Sequence, residues 1–308
     1  MNRRELLGRA VGAATLVAAG GGVQAAATSA PAEAAGMITR RIPSTGEVLP
    51  VIGLGTSGPF EVGTDAAARA PLREVIDAFF AGGGRLIDTS PMYSSAERVL
   101  GDLLSPSQQS ACFMATKVWA DGADAGRAQV RESTRLLRRG TLDLVQVHNL
   151  RDLDVHLKTL RAMKAQGQVR YLGITHYTVA AHDDLARVIE RERPDFVQLN
   201  YSALTRDAEN RLLPLAADRG VAVIVNRAFE DGRVFARLRN VPLPAWAADF
   251  DATSWAQVLL KYVIAHPAVT CVIPATGKVK NQRDNLAGGR GRLPDAAALR
   301  KIVAAVSA

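Results

Sequence analysis

The stretch VIGLGTSGPF, residues 51–60, decides between two folds. It satisfies G-x-G-x-x-G literally, with Gly53, Gly55 and Gly58 following an apolar run. That pattern marks the first turn of a doubly wound dinucleotide fold when the third glycine opens a helix and an acid ends the next strand about twenty residues on. Neither condition holds. Pro59-Phe60 follows the third glycine, and the next strand-end acid, Asp88, lies 33 residues beyond Gly55. GLGTSG therefore reads as a turn at the C-terminal rim of a first strand.

The same beat continues outward from this stretch. Short apolar runs recur as VIGLGT, RLIDTS, CFMATKV, LDLVQVHN, VRYLGITHY, FVQLNYS, VAVIVNRAF and VTCVIPAT. Between them lie helical stretches such as AAARAPLREVIDAFFAGG, with apolar residues at helical spacing and glycine at the end. Eight alternations over about 240 residues predict an α/β fold, a (β/α)8 TIM barrel. Ahead of the first run, MITRRIPSTGEVLP reads as an N-terminal β-hairpin turning at Ser44-Thr45-Gly46. No composition break follows residue 37, so residues 37–308 are expected to form one domain.

Residues 1–36 have a different character. Paired arginines, an Ala/Gly/Val/Leu stretch and small-residue sites in VQAAATSAPAEAAG give the layout of a secretory leader. Asn2-Arg3-Arg4-Glu5-Leu6-Leu7 resembles the twin-arginine type, which implies the twin-arginine export machinery as partner and an exported, periplasmic or extracytoplasmic location. Cleavage is expected between Gln24 and Gly36. A stable membrane span is not expected, because the uncharged stretch is Ala/Gly-rich and interrupted by Thr15, Gln24 and Pro31. Cys112 and Cys271 are the only cysteines, so no disulfide framework supports an exported fold. Export of an already folded chain fits a cofactor loaded beforehand.

Charge excludes little but guides the reading. The net charge of +8 is scattered, and aromatics make up only 5% of residues. With no basic stripe interleaved with aromatics, nucleic-acid binding is not expected. The histidines show neither HxH nor HExxH spacing, so no metal site is expected.

In a barrel of this type, reactive groups sit at the C-terminal ends of the strands. The second run ends at Asp88, the third at Lys117, the fourth at His148, and Tyr93 follows the first of these. Each has an ordinary structural reading, such as a capping Asp, a snorkelling Lys or a packed His. Four converging on one rim reads as functional, more so because the chain has only seven lysines. A phenol with an ordinary pKa near 10 is a weak acid at neutrality. A neighbouring ammonium is expected to lower it by roughly 1–3 units, with Asp88 holding the ammonium and His148 either fixing a carbonyl oxygen or sharing its proton. Such a set suits protonation of the alkoxide formed when hydride reaches a carbonyl, and the hydride must come from a nicotinamide.

On these residues the chain resembles the aldo-keto reductase family from about residue 38 to its end. The motifs are GLGT, D-T-S-P-x-Y at Asp88–Tyr93, Lys117 in ATK, His148 in DLVQVH, GIT, VQLNYS, and IPAT followed by RDNL. The resemblance implies an NADP(H)-dependent oxidoreductase acting on an aldehyde, ketone or alcohol, with NAD(H) less favoured. Asp88, Tyr93, Lys117 and His148 would form the catalytic tetrad, and Thr175 and Gln198 would meet the nicotinamide amide. Thr276, Lys278, Asn281 and Asn285 would serve the 2′-phosphate side, with Lys280 a further candidate by its charge and Asp284 a further cofactor contact. Thr56, Ser57, His176, Asn226, Arg227 and Phe229 complete the implied cofactor contacts, and Trp119 and Asn149 the substrate side.

Three departures stand out. Thr175-His176 replaces the usual Ser-Asn, Asn226-Arg227-Ala228-Phe229 replaces an aromatic followed by Ser-Pro-Leu, and Asn149 replaces a large aromatic. They imply an altered cofactor grip, with Arg227 a candidate pyrophosphate clamp and Asn226 or His176 candidates for the missing amide contact. They also imply a wider or more polar substrate site. Two alternatives stand beside the reductase reading. One is an exported barrel whose tightly held nucleotide makes it a slow redox-responsive binding protein or dismutase. The other is a Schiff-base aldolase using Lys117. Loop specificity is not readable, because the segment after the fourth run and the one from Glu230 to Phe250 are short or featureless.

Overall fold

The structure is a computed structural model and describes residues 36–307. The expected leader therefore lies outside the described residues, Gly36 excepted. The chain opens with a hairpin, β1 (Thr39–Arg41) and β2 (Val48–Pro50), paired antiparallel as expected. Gly46 at its turn sits at φ +77°, a backbone region that side chains with a Cβ resist.

Eight parallel strands follow, in sequential spatial order: β3 (Leu54–Gly55), β4 (Leu86–Asp88), β5 (Phe113–Val118), β6 (Leu142–His148), β7 (Val169–Thr175), β8 (Phe196–Asn200), β9 (Ala222–Asn226) and β10 (Val269–Val272). These are the eight expected runs. Helices α1 (Ala66–Ala81), α2 (Ala96–Leu103), α3 (Pro106–Ala111), α4 (Ala123–Leu136), α5 (Leu153–Ala165), α6 (His182–Glu192), α7 (Leu212–Arg219), α8 (Arg233–Arg237), α9 (Trp255–Ala265), α10 (Val279–Ala287) and α11 (Ala296–Ser307) alternate with them.

The sheet closes on itself. Ile52 and Gly55 bridge in parallel to Val272 and Ala275, and the Gly53 and Gly55 amides donate to the carbonyls of Val272 (2.8 Å) and Pro274 (3.2 Å). The glycines of GLGTSG serve this seam. A Cβ on Gly55 would meet the Ile273 carbonyl at 2.7 Å, and one on Gly53 would meet the Leu86 carbonyl at 2.9 Å. With every strand beside its sequence neighbour, no topological switch point exists, and the doubly wound alternative is excluded.

Period-two alternation sends one set of strand residues inward. Leu86, Phe113, Ala115, Leu144, Tyr171, Phe196, Ala222 and Ile224 fill the lower barrel, and Ile42 and Leu49 of the hairpin join the same cluster. Phe113, Tyr171 and Phe196 pack with ring centroids 5.5–5.9 Å apart. The opposite faces of the strands pack on the helices in a larger cluster. An apolar plug thus seals one end, and the polar inward residues collect toward the other. Among the described residues, no helix is long and apolar enough to cross a membrane.

Candidate active site

Continuing the alternation upward from the apolar plug brings Asp88, Lys117, Gln146 and Gln198 into one buried polar layer, each no more than 2% exposed. Lys117 Nζ donates to Asp88 Oδ2 at 2.5 Å and to the Thr89 carbonyl at 2.8 Å. The other oxygen, Asp88 Oδ1, accepts from Gln198 Nε2 at 2.8 Å and Gln146 Nε2 at 3.0 Å. Thr56 Oγ1 donates to the Asp88 carbonyl at 3.0 Å, which ties this layer to the turn after β3. Side chains from three other strands therefore hold the Asp88 carboxylate, and the turn after β3 holds its backbone. Burial alone would lower the Lys117 pKa, but Asp88 and Tyr93 outweigh it and push it upward, so Lys117 is an ammonium.

Tyr93 lies above this pair, with Lys117 Nζ 4.8 Å from its ring centroid. The His148 ring meets the Tyr93 ring edge-on, at 88° and 6.2 Å between centroids. Ser90 Oγ lies 3.3 Å from His148 Nδ1. Burial pushes the imidazole down to about 3, and the charges of Lys117 and His176 act in the same direction. His148 is therefore neutral at physiological pH and able to donate one N–H.

The phenol departs from the sequence-based expectation. Its pKa is raised, because burial and the negative charge of Asp88 outweigh the lowering by Lys117. Burial of the phenol is the largest effect; the lowering by Lys117 comes next and is partly offset by Asp88, its ion-pair partner. Tyr93 is a fully protonated donor at neutrality, not an incipient tyrosinate.

These groups open into a cleft of about 730 Å³ at the C-terminal mouth of the barrel. Of the residues expected to bind cofactor or substrate, Thr56, Ser57, Thr175, Gln198, Asn226, Arg227, Phe229 and Asn149 line it beside Asp88, Tyr93 and His148. Lys117 lies beneath. Thr175 Oγ1 donates to Gln198 Oε1 at 3.2 Å, and Asn226 Nδ2 donates to Gln198 Oε1 at 3.3 Å and to the His176 carbonyl at 3.2 Å. Arg227 is engaged within the protein, with Asp231 and with the Tyr177 carbonyl at 3.1 Å.

Other expected residues lie off the cleft wall. The His176 ring stacks on Tyr177 at 5.4 Å, and its Nδ1 accepts from the Tyr177 and Thr178 amides. Trp119 carries the Arg151 guanidinium 4.1 Å from its ring. Thr276 follows Ala275 of the wall and accepts from the Lys278 amide at 3.2 Å. Lys278, Lys280 and Asn281 are exposed at the start of α10, and Asn285 is buried. Asp284 accepts from Ser254 Oγ and Gln257 Nε2, which fixes α10 against α9.

Sequence reasoning missed Gln146, although it lies two residues before His148 and so shares its inward face. It also missed Ser90, Tyr177, Asp231 and Phe235; the last three line the cleft. The segment from Glu230 to Phe250 is not featureless. It contributes α8 and supplies Asp231, Gly232 and Phe235 to one wall. Among the described residues, no three His, Cys, Asp or Glu side chains are grouped to hold a metal ion.

A closed (β/α)8 barrel with a protonated phenol, an ion-paired lysine and a neutral imidazole at its mouth is built for proton transfer to an oxygen. The sequence of residues 51–300 matches the aldo/keto reductase family, and the chain belongs to that family. D-arabinose 1-dehydrogenase of Saccharomyces cerevisiae is 31% identical over 153 residues, which cover 44% of this chain and 46% of that protein. The chain thus spans about half the length of this curated relative. Among solved structures, aldo-keto reductase AKR11C1 from Bacillus halodurans superposes with a TM-score of 0.71 at 21% identity, covering 88% of this chain and 96% of that one. An aldo-keto reductase from Klebsiella pneumoniae in complex with NADPH gives 0.72 at 24% identity, with 86% and 94% covered. At this identity the two structures establish the fold.

Proposed function

We propose that this chain reduces an aldehyde or ketone, or oxidises the matching alcohol, as an NADP(H)-dependent oxidoreductase. The observation that supports this most is the stack of Asp88, Lys117 and Tyr93 beneath a cleft shared with His148. Tyr93 donates the proton to the carbonyl oxygen. Lys117, held charged by Asp88, steadies the negative charge that the phenol leaves behind. Neutral His148 donates a hydrogen bond that orients the substrate oxygen toward the phenol.

The residues present fit a nicotinamide nucleotide, which when bound supplies the hydride. Asn226 Oδ1 is buried without a hydrogen-bond partner among the described residues, and it lies beside Gln198 and Thr175, an arrangement suited to a carboxamide. Thr276, Lys278, Lys280 and Asn281 at the start of α10 would hold the 2′-phosphate, where two exposed ammonium groups favour NADP over NAD. The NADPH complex of the Klebsiella pneumoniae relative agrees with this choice.

A Schiff-base role for Lys117 is disfavoured, because imine formation needs a neutral amine and Asp88 keeps Lys117 protonated. The leader is part of the same reading and is supported by the sequence alone; replacing Arg3-Arg4 by paired lysines should retain the protein in the cytoplasm. The function itself is tested with NADPH carrying deuterium on the nicotinamide ring and a panel of aldehydes, ketones and sugars. Deuterium on the carbon of a product alcohol supports the proposal. Absence of transfer across the panel and in the alcohol direction overturns it.

A further inference from the structure

We propose that Ser90 is a positioning residue: its hydroxyl donates to Nδ1 of His148 and so holds the ring proton on Nε2. Hydrogen-bond accounting carries the argument. A serine hydroxyl offers one proton and two lone pairs. Ser90 Oγ accepts from the Met92 amide at 3.1 Å and lies 3.3 Å from His148 Nδ1. Ser90 is fully buried, and among the described residues its proton has no other acceptor in reach. If the ring donated from Nδ1 instead, the buried hydroxyl proton would be left unsatisfied, the costlier arrangement.

Nε2 has no hydrogen-bond partner among the described residues, and His148 lines the cleft. The proton fixed on Nε2 is therefore the one available to a bound oxygen. Chain geometry explains how Ser90 reaches the ring. It stands two residues past Asp88, in the strand-end turn closed by the Tyr93 amide donating to the Ser90 carbonyl at 3.0 Å. That turn sets the Ser90 hydroxyl and the Tyr93 ring against the same imidazole.

The kinetic consequence rests on the carbonyl-reductase reading, whereas the ring proton can be measured without substrate. Nitrogen-15 NMR of the histidine-labelled full-length protein at neutral pH, assigned with His148→Gln, should show His148 with Nε2 protonated and Nδ1 bare. Ser90→Ala should move the ring to a mixture of tautomers, and Ser90→Thr, which keeps the hydroxyl, should restore the wild-type signal. Kinetically, Ser90→Ala should lower kcat about fivefold, the effect of one lost hydrogen bond, with the nucleotide KM unchanged. A wild-type ring protonated on Nδ1, an unchanged tautomer in Ser90→Ala, or an altered tautomer with unchanged kcat would each overturn the proposal. Were Ser90→Ala unable to fold, the wild-type and Ser90→Thr spectra would decide it. A wild-type protein with Nε2 protonated but no turnover would sink the reductase reading and leave the tautomer assignment standing.

Discussion

Replacing Asp88 by Asn probes the interaction on which the site is built. Lys117 Nζ and Asp88 Oδ2 lie 2.5 Å apart with both side chains no more than 2% exposed. At an effective dielectric of 20 their attraction is about 7 kcal/mol, much of it offset by desolvation of the two ions. The change leaves the ammonium buried and removes one of two acceptor oxygens, so an amide N–H₂ must face either the ammonium or the Gln146 and Gln198 donors. Truncating one partner of such a pair costs about 3–5 kcal/mol. Urea unfolding of Asp88→Asn should therefore show stability reduced by that amount. The double variant Asp88→Asn/Lys117→Met should recover a large part of it, because the stranded charge is gone. A loss below about 1 kcal/mol, or a double variant less stable than the single one, would refute the buried ion pair as described.

The pH dependence of stability should carry the signature of His148. In the unfolded chain the imidazole binds a proton near its ordinary 6.5, but in the folded protein only near about 3, so acid favours the unfolded state. Stability should fall on the order of 2 kcal/mol between pH 6.5 and pH 5, and His148→Gln should abolish that part of the slope in urea titrations at several pH values. Gly55→Ala places a methyl 2.7 Å from the Ile273 carbonyl at the barrel seam, and should cost about 1–3 kcal/mol in thermal or urea unfolding. Removing Lys278 and Lys280 together should raise the KM for NADPH about fivefold at low salt and leave that for NADH unchanged; equal effects on both would remove the 2′-phosphate assignment.

The fold was legible because parallel barrel strands, buried on both faces, appear as bare apolar runs, and all eight were found. The polar ends of those runs were legible for the same reason. Asp88, Lys117 and His148 each interrupt a stretch in which charge is costly. The G-x-G-x-x-G match was correctly set aside, yet the purpose of its glycines emerged only from closure, since β3 and β10 are separated by most of the chain. The direction of the Tyr93 shift was hidden for another reason. Sequence gives the neighbours of a phenol but not the burial that outweighs the nearby ammonium, nor the 2.5 Å contact that sets Asp88 beside Lys117. The wall from Asp231 to Phe235 was illegible because three successive residues with positive φ, Glu230, Asp231 and Gly232, break any periodicity there. Ser90 carried no signal by itself; its hydroxyl matters only because a strand distant in sequence brings His148 to it.

The central claim is that the Tyr93 hydroxyl delivers the proton for carbonyl reduction. Its most direct test is single-turnover oxidation of bound NADPH by an active aldehyde, compared between the wild type and Tyr93→Phe, with nucleotide affinity measured on both. A rate lower by about 100-fold or more, at unchanged affinity, is the predicted result. A Tyr93→Phe rate within tenfold of wild type would contradict the account.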